Sequence, residues 1–129
     1  MNCIFCKIIS GEIPTDKIYE DDKVLVFLDA NPEANGHMLI IPKKHYLDVN
    51  DIDLDLLKHI NDISRKMYQL LKDKLKAEGV TIFQNNGSAQ AVKHYHMHLL
   101  PRYKDDGFKH EYNKDILLDT KKIKEILAK

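Results

Sequence analysis

The chain has 129 residues, 43% of them hydrophobic and 31% charged, the ordinary balance of a soluble globular protein long enough for one real core. Its 20 Lys and Arg match 20 Asp and Glu. No net field therefore draws it to nucleic acid or an anionic membrane, and any phosphate site must be built locally. No segment approaches the roughly 20 apolar residues of a membrane span, and the first residues, Met1 to Lys7, lack the basic lead and apolar run of a secretory leader. The expectation is one domain over residues 1–129, in the cytoplasm.

Taken in order, Cys3 and Cys6 form a C-x-x-C ahead of Ile8-Ile9, and Ser10 to Pro14 reads as a turn. Residues 17–20 are a short strand candidate with a hairpin corner at Asp21-Asp22. Lys23 to Asp29 is apolar and β-rich, so it is the next strand. A loop over 31–36 precedes a strand from His37 to Pro42, where Pro42 and two lysines stop it. Short spacings make antiparallel pairing the economical arrangement.

Residues 53–78 change period: Leu54, Leu57, Ile60, Ile63, Met67, Leu70, Leu71 and Leu75 recur at three and four, the stripe of an amphipathic helix. Asp51 or Asp53 can cap its start, and Gly79 fits the position just past its end. Val80 to Gln84 returns to strand character, and Asn85 to Ala89 is a polar turn. After Pro101 an Asp106-Gly107 turn leads into a charged tail with a short helical stripe at Ile123, Ile126 and Leu127. The fold class is α+β: an antiparallel sheet of about five strands with one long helix and a short C-terminal helix.

Between that turn and Pro101 lies His94-Tyr95-His96-Met97-His98-Leu99-Leu100. In an extended backbone the three imidazoles share one face, and Tyr95, Met97 and Leu99 take the core face. The plain alternative is a half-buried strand with polar residues facing water. Three like groups in one site resist simultaneous protonation, which favours a neutral, nucleophilic ring in the middle of the row.

In a reducing compartment Cys3 and Cys6 are thiols or metal ligands rather than a structural disulfide. Two thiolates are half of a tetrahedral zinc site, and His45 with His94 would complete Cys2His2. A redox pair and two buried small residues are the competing readings, although no βαβ pattern supports the first.

The row His94 to Leu100 resembles the signature of the histidine triad (HIT) superfamily, histidines alternating with apolar residues. The likeness extends in order over roughly residues 3–103. It includes Cys3 to Ile9, Gly11-Glu12-Ile13-Pro14, Val26-Phe27-Leu28-Asp29, Gly36-His37, Ile41 to His45 and Asn85-Asn86-Gly87, in the branch of small bacterial Hint-like proteins. The segment 104–129 carries no such likeness.

The resemblance implies a HIT-like fold and a nucleotide-binding hydrolase or transferase acting at the α-phosphate of nucleoside monophosphate conjugates. It makes His96 the nucleophile of a covalent nucleotidyl-histidine intermediate, its tautomer fixed by a backbone carbonyl, and His98 a phosphate ligand. Asp29 takes the ribose hydroxyls, and Asn85 contacts phosphate or leaving group. Ile4, Phe5, Ile8, Phe27 and Ala30 match base-pocket positions, with plain core packing as the alternative for each. The four metal positions of the family fall on Cys3, Cys6, His45 and His94, which implies a structural zinc. His37 matches a further family histidine, while His59 and His110 are expected on the surface. A homodimer is implied as well, with the long helix and a sheet edge as contacts.

One departure bears on the chemistry. Many relatives carry a Gly-rich loop and a Ser or Thr before the triad. Here the stretch from Ser88 to Lys93 is shorter and Ala91 stands at the hydroxyl position. The Ala91 N–H can still meet phosphate, and Gln90, Ser88 or Lys93 can compensate. The readings left open are a purine nucleoside phosphoramidase, a dinucleoside polyphosphate hydrolase or nucleotidyl transferase, and a zinc-stabilised nucleotide-binding module with negligible turnover.

Overall fold

The computed structural model describes residues 2–128. The chain opens with a helix that no sequence period marks, α1 (Ile4–Ser10). Its N-cap is an unusual one: the Cys3 thiol accepts from the Cys6 N–H at 3.3 Å. Gly11, at φ 88°, closes the other end by donating to the Ile8 carbonyl.

Strands β1 (Lys17–Glu20), β2 (Val24–Leu28) and β3 (Met38–Pro42) follow, then α2 (Leu54–Leu75), β4 (Gly79–Gln84), β5 (Met97–Arg102) and α3 (Thr120–Leu127). Every pairing is antiparallel, but the spatial order is β1-β2-β3-β5-β4. The last strand is thus inserted between β3 and β4, and α2 bridges the gap.

Asp53 caps α2 by accepting from the Leu56 N–H. The helix ends at Lys76, which takes the left-handed conformation at φ 58°, and not at Gly79, which already belongs to β4. Ala77, immediately past that cap, is buried.

β2 and β3 are buried on both faces, so they read as continuous apolar runs. On one face Val24, Val26, Met38 and Ile40 meet Ile60, Ile63, Met67 and Leu71 of α2. On the other, Leu25, Phe27, Leu39 and Ile41 meet Cys3, Phe5 and Ile8 of the α1 region. The sheet is sandwiched between α2 and the short N-terminal helix. The tail from Lys104 to Ala128 is exposed throughout.

The histidine row departs from a uniform strand. Regular pairing starts only at Met97, and residues 94–96 approach it as irregular extended chain. The alternation nevertheless survives, because Tyr95, Met97 and Leu99 all enter the core beneath α2. His98 pairs with Leu39 on one side and Phe83 on the other, which sets it on the α1 face.

Candidate active site

His94 and His96 are buried side by side in the chain yet serve two different sites. The His94 ring donates from Nε2 to the Pro42 carbonyl at 2.8 Å. A neutral ring held that way keeps its lone pair on Nδ1, which lies 3.4 Å from Cys3 Sγ, 3.6 Å from Cys6 Sγ and 3.0 Å from His45 Nδ1. Cys6 Sγ is in turn 3.3 Å from His45 Nδ1. Tetrahedral zinc, with Zn–S near 2.3 Å and Zn–N near 2.0–2.1 Å, requires ligand–ligand edges of roughly 3.3–3.8 Å. The four donors therefore fit a metal once they spread by about 0.3 Å, most of it between the two imidazole nitrogens. Burial is the main cause that pushes the Cys6 thiol up to about 11 and the His94 ring down to about 4. A bound cation would reverse the first of these and benefit from the second.

The backbone of the same residue holds His96. The His94 carbonyl accepts from His96 Nδ1–H at 2.8 Å, which leaves the Nε2 lone pair of His96 free. Burial lowers the pKa of this ring, so it stays neutral at neutral pH. It packs edge-on to Phe5 at 5.0 Å and lines a cavity of about 490 Å³.

His98 completes a second chain of hydrogen bonds. The Glu33 N–H donates to His37 Nδ1 at 3.1 Å, and a backbone amide can only donate. The His37 proton must then sit on Nε2, which donates to His98 Nδ1 at 3.0 Å. By elimination His98 carries its proton on Nε2. Burial, followed by the proximity of His96 and His37, holds its pKa down near 4, so the ring is a neutral donor. Phe83 stacks on it with centroids 4.2 Å apart and planes 7° from parallel.

Asp29, His37 and His98 also lie close enough together to hold a metal. The Glu33 amide argues against it, because it forces a proton onto the His37 nitrogen that faces the cluster. That set is a hydrogen-bond relay, whereas Cys3, Cys6, His45 and His94 present lone pairs.

The remaining sequence-predicted residues fall into two groups. Ile4, Phe5, Ile8, Phe27, Asp29, Ala30, Asn85 and Ala91 all line the cavity with His96 and His98. Asp29 is fixed there: its Oδ1 accepts from the Asn31 N–H at 2.9 Å, and its Oδ2 lies 3.6 Å from His37 Nε2. Gln90 is not a wall residue. Its side chain is buried and donates to the Leu47 carbonyl at 2.6 Å, which pins the segment after His45. His59 is half-buried rather than free, with Nε2 2.8 Å from Asp21 Oδ2. Phe83, Val92 and the segment Ile13-Pro14-Thr15 also line the cavity. No periodic signal marks them; sheet register and the reach of α1 bring them in.

The family model of the HIT domain matches residues 10–105. The chain belongs to the HIT family. A HIT-like protein of Methanocaldococcus jannaschii is 48% identical over 107 residues, covering 81% of this chain and 82% of the relative. The adenosine 5′-monophosphoramidase of Candida albicans is 43% identical over 112 residues, covering 82% and 73%. Among solved structures, a Zn-bound histidine triad family protein from Mycobacterium smegmatis superposes with a TM-score of 0.81 at 35% identity, covering 89% of this chain and 85% of that one. The α+β sheet and flanking helices described above are thus the HIT fold.

Proposed function

We propose that this HIT protein hydrolyses nucleoside 5′-phosphoramidates through a covalent intermediate on His96. The observation that carries the reading is the Nε2 lone pair of His96, freed by the bond from Nδ1–H to the His94 carbonyl and facing the cavity. The phosphoramidase activity of the Candida relative supports the substrate class.

In this reading His96 Nε2 attacks phosphorus, the N–P bond to the imidazole forms and the P–N bond to the leaving amine breaks. Water then attacks the nucleotidyl-imidazole, releasing the nucleoside monophosphate and restoring the ring. His98 donates a hydrogen bond from Nε2–H to a phosphoryl oxygen as negative charge grows there. The leaving nitrogen gains a proton as the P–N bond breaks, and the water that then attacks the nucleotidyl-imidazole returns one to the site. Asp29 accepts from the ribose hydroxyls, and Phe5, Ile8 and Phe27 enclose the base.

The ligands Cys3, Cys6, His45 and His94 would hold zinc as a structural ion, since four protein donors leave no open coordination position. The zinc-bound relative supports this. A homodimer belongs to the same reading, because Ile116, Leu117, Leu118, Ile126 and Leu127 are all exposed on the tail. A monomer in sedimentation would remove that element alone.

Ala91 favours a second reading. It brings no hydroxyl to the cavity wall, so a nucleotide-binding module with negligible turnover is the alternative. Incubation with adenosine 5′-phosphoramidate separates the two. Release of adenosine monophosphate, abolished in His96→Asn, supports the enzyme; tight binding with no product supports the module.

A further inference from the structure

A second cavity of about 480 Å³ lies directly beside the catalytic one. The two share three wall residues, Ile4, Ala91 and Val92, so these form a ridge between them. On the far side the walls are Asn2, Cys3, His45 and Lys93. We propose that this second cavity is a leaving-group subsite, and that it takes an amine with an apolar body and an anionic substituent. The inference rests on the phosphoramidase reading and specifies its substrate.

In the proposed reading the nucleoside lies against Phe5, Ile8 and Phe27, with its ribose toward Asp29, all of which line the catalytic cavity. In-line displacement sends the leaving group away from His96, and the enclosure next to the catalytic cavity, across the wall shared through Ile4, Ala91 and Val92, is the one assigned to it. Ala91 is small and exposed, so a leaving group can cross there without meeting a bulky side chain. The absence of a hydroxyl at residue 91 then has a steric consequence, a low ridge.

The charge of the two cavities differs. Asp29 and Glu33 line the catalytic one, while no carboxylate lines the second. Lys93 stands at the second cavity with its ammonium anchored, donating to the Gly87 carbonyl at 2.8 Å and the Gln90 carbonyl at 3.3 Å. An ammonium has three N–H groups, so one remains for a ligand. Ile4 and Val92 supply apolar surface for the body of the amine.

The test compares two adenosine phosphoramidates on the intact, zinc-supplied chain: one of phenethylamine and one of phenylalanine, which differ by a carboxylate. Affinities are read by calorimetry in the His96→Asn protein, and kcat/KM in the wild type. The phenylalanine conjugate is expected to bind about fivefold more tightly, the size of an exposed ion pair with partial enclosure. Lys93→Met should abolish that preference. Asn2→Asp should abolish or invert it while leaving the Lys93 anchor in place. A preference untouched by both substitutions, or absent from the start, overturns the subsite. Failure of turnover with the binding preference intact would instead count against the phosphoramidase reading.

Discussion

The Glu33 amide and the His98 ring never touch, yet the first decides which nitrogen of the second carries a proton. The link is His37, which accepts from Glu33 at Nδ1 and donates to His98 from Nε2. A buried neutral residue outside the triad thereby sets the triad's last member as a donor.

Replacing His37 by Ala should free His98 to populate both tautomers. About a 10- to 100-fold loss in kcat is expected, the usual cost of removing an orienting partner, with a smaller change in KM. The distinguishing readout is the nitrogen NMR of His98: a single Nε2–H tautomer in the wild type and a mixture in the variant. An unchanged tautomer would remove His37 from this role.

Gly36 places His37 and is itself under α2. Its φ is 91°, and an added Cβ would stand 2.6 Å from Leu75 Cδ1 and 2.9 Å from Leu71 Cδ2. Gly36→Ala combines a left-handed backbone cost with overpacking, so a destabilisation of about 2–4 kcal/mol is expected. Urea unfolding measures it. Gly87, at φ 61° with open space around its Cβ position, should lose only the backbone part.

The four donors Cys3, Cys6, His45 and His94 predict about one zinc per chain by elemental analysis. Chelation should lower the melting temperature, because the metal binds only the folded arrangement. Cys6→Ser should do the same and become insensitive to the chelator. Wild-type melting that ignores chelator would contradict the structural role.

His98 contributes to the pH dependence of stability, beside His94 and His96, whose rings burial also holds below the ordinary histidine value. Its pKa near 4 in the folded chain lies below the ordinary histidine value, so the unfolded chain binds the proton more readily. Its contribution is complete above about pH 6.5 and is lost as the pH falls from there toward 4. His96, His37 and Asp29 are the titratable neighbours, and only the last favours protonation. Urea midpoints between pH 7 and 4.5 should fall in the wild type and fall less steeply in His98→Asn. Equal slopes would contradict the assignment.

Much of this was legible in the chain because the informative residues repeat at short range. Alternation from His94 to Leu99 separates site from core even where regular pairing is missing, and the C-x-x-C supplies two of the four side chains whose donor atoms gather into one cluster able to hold a metal. α1 was not legible, because seven residues are too few to show a helical period and its cap is a thiol rather than a hydroxyl or carboxylate. α2 ends at Leu75, short of the expected 78, because Lys76 and not a glycine takes the left-handed turn. Phe83 and the His37–His98 bond depend on β5 lying between β3 and β4, a non-local pairing with no local signal. Gln90 stands in a phosphate-loop position, but its amide donates to the Leu47 carbonyl, a contact 43 residues away in sequence that no local pattern signals.

The central claim is that the freed Nε2 of His96 becomes bonded to phosphorus. Rapid acid-free quenching of a turnover mixture with adenosine 5′-phosphoramidate, followed by intact-mass and peptide mass analysis, tests it directly. The account predicts one adenylyl group on the peptide containing His96, absent in His96→Asn. Turnover without any adduct in the wild type and undiminished in His96→Asn, or an adduct at another residue, would contradict it.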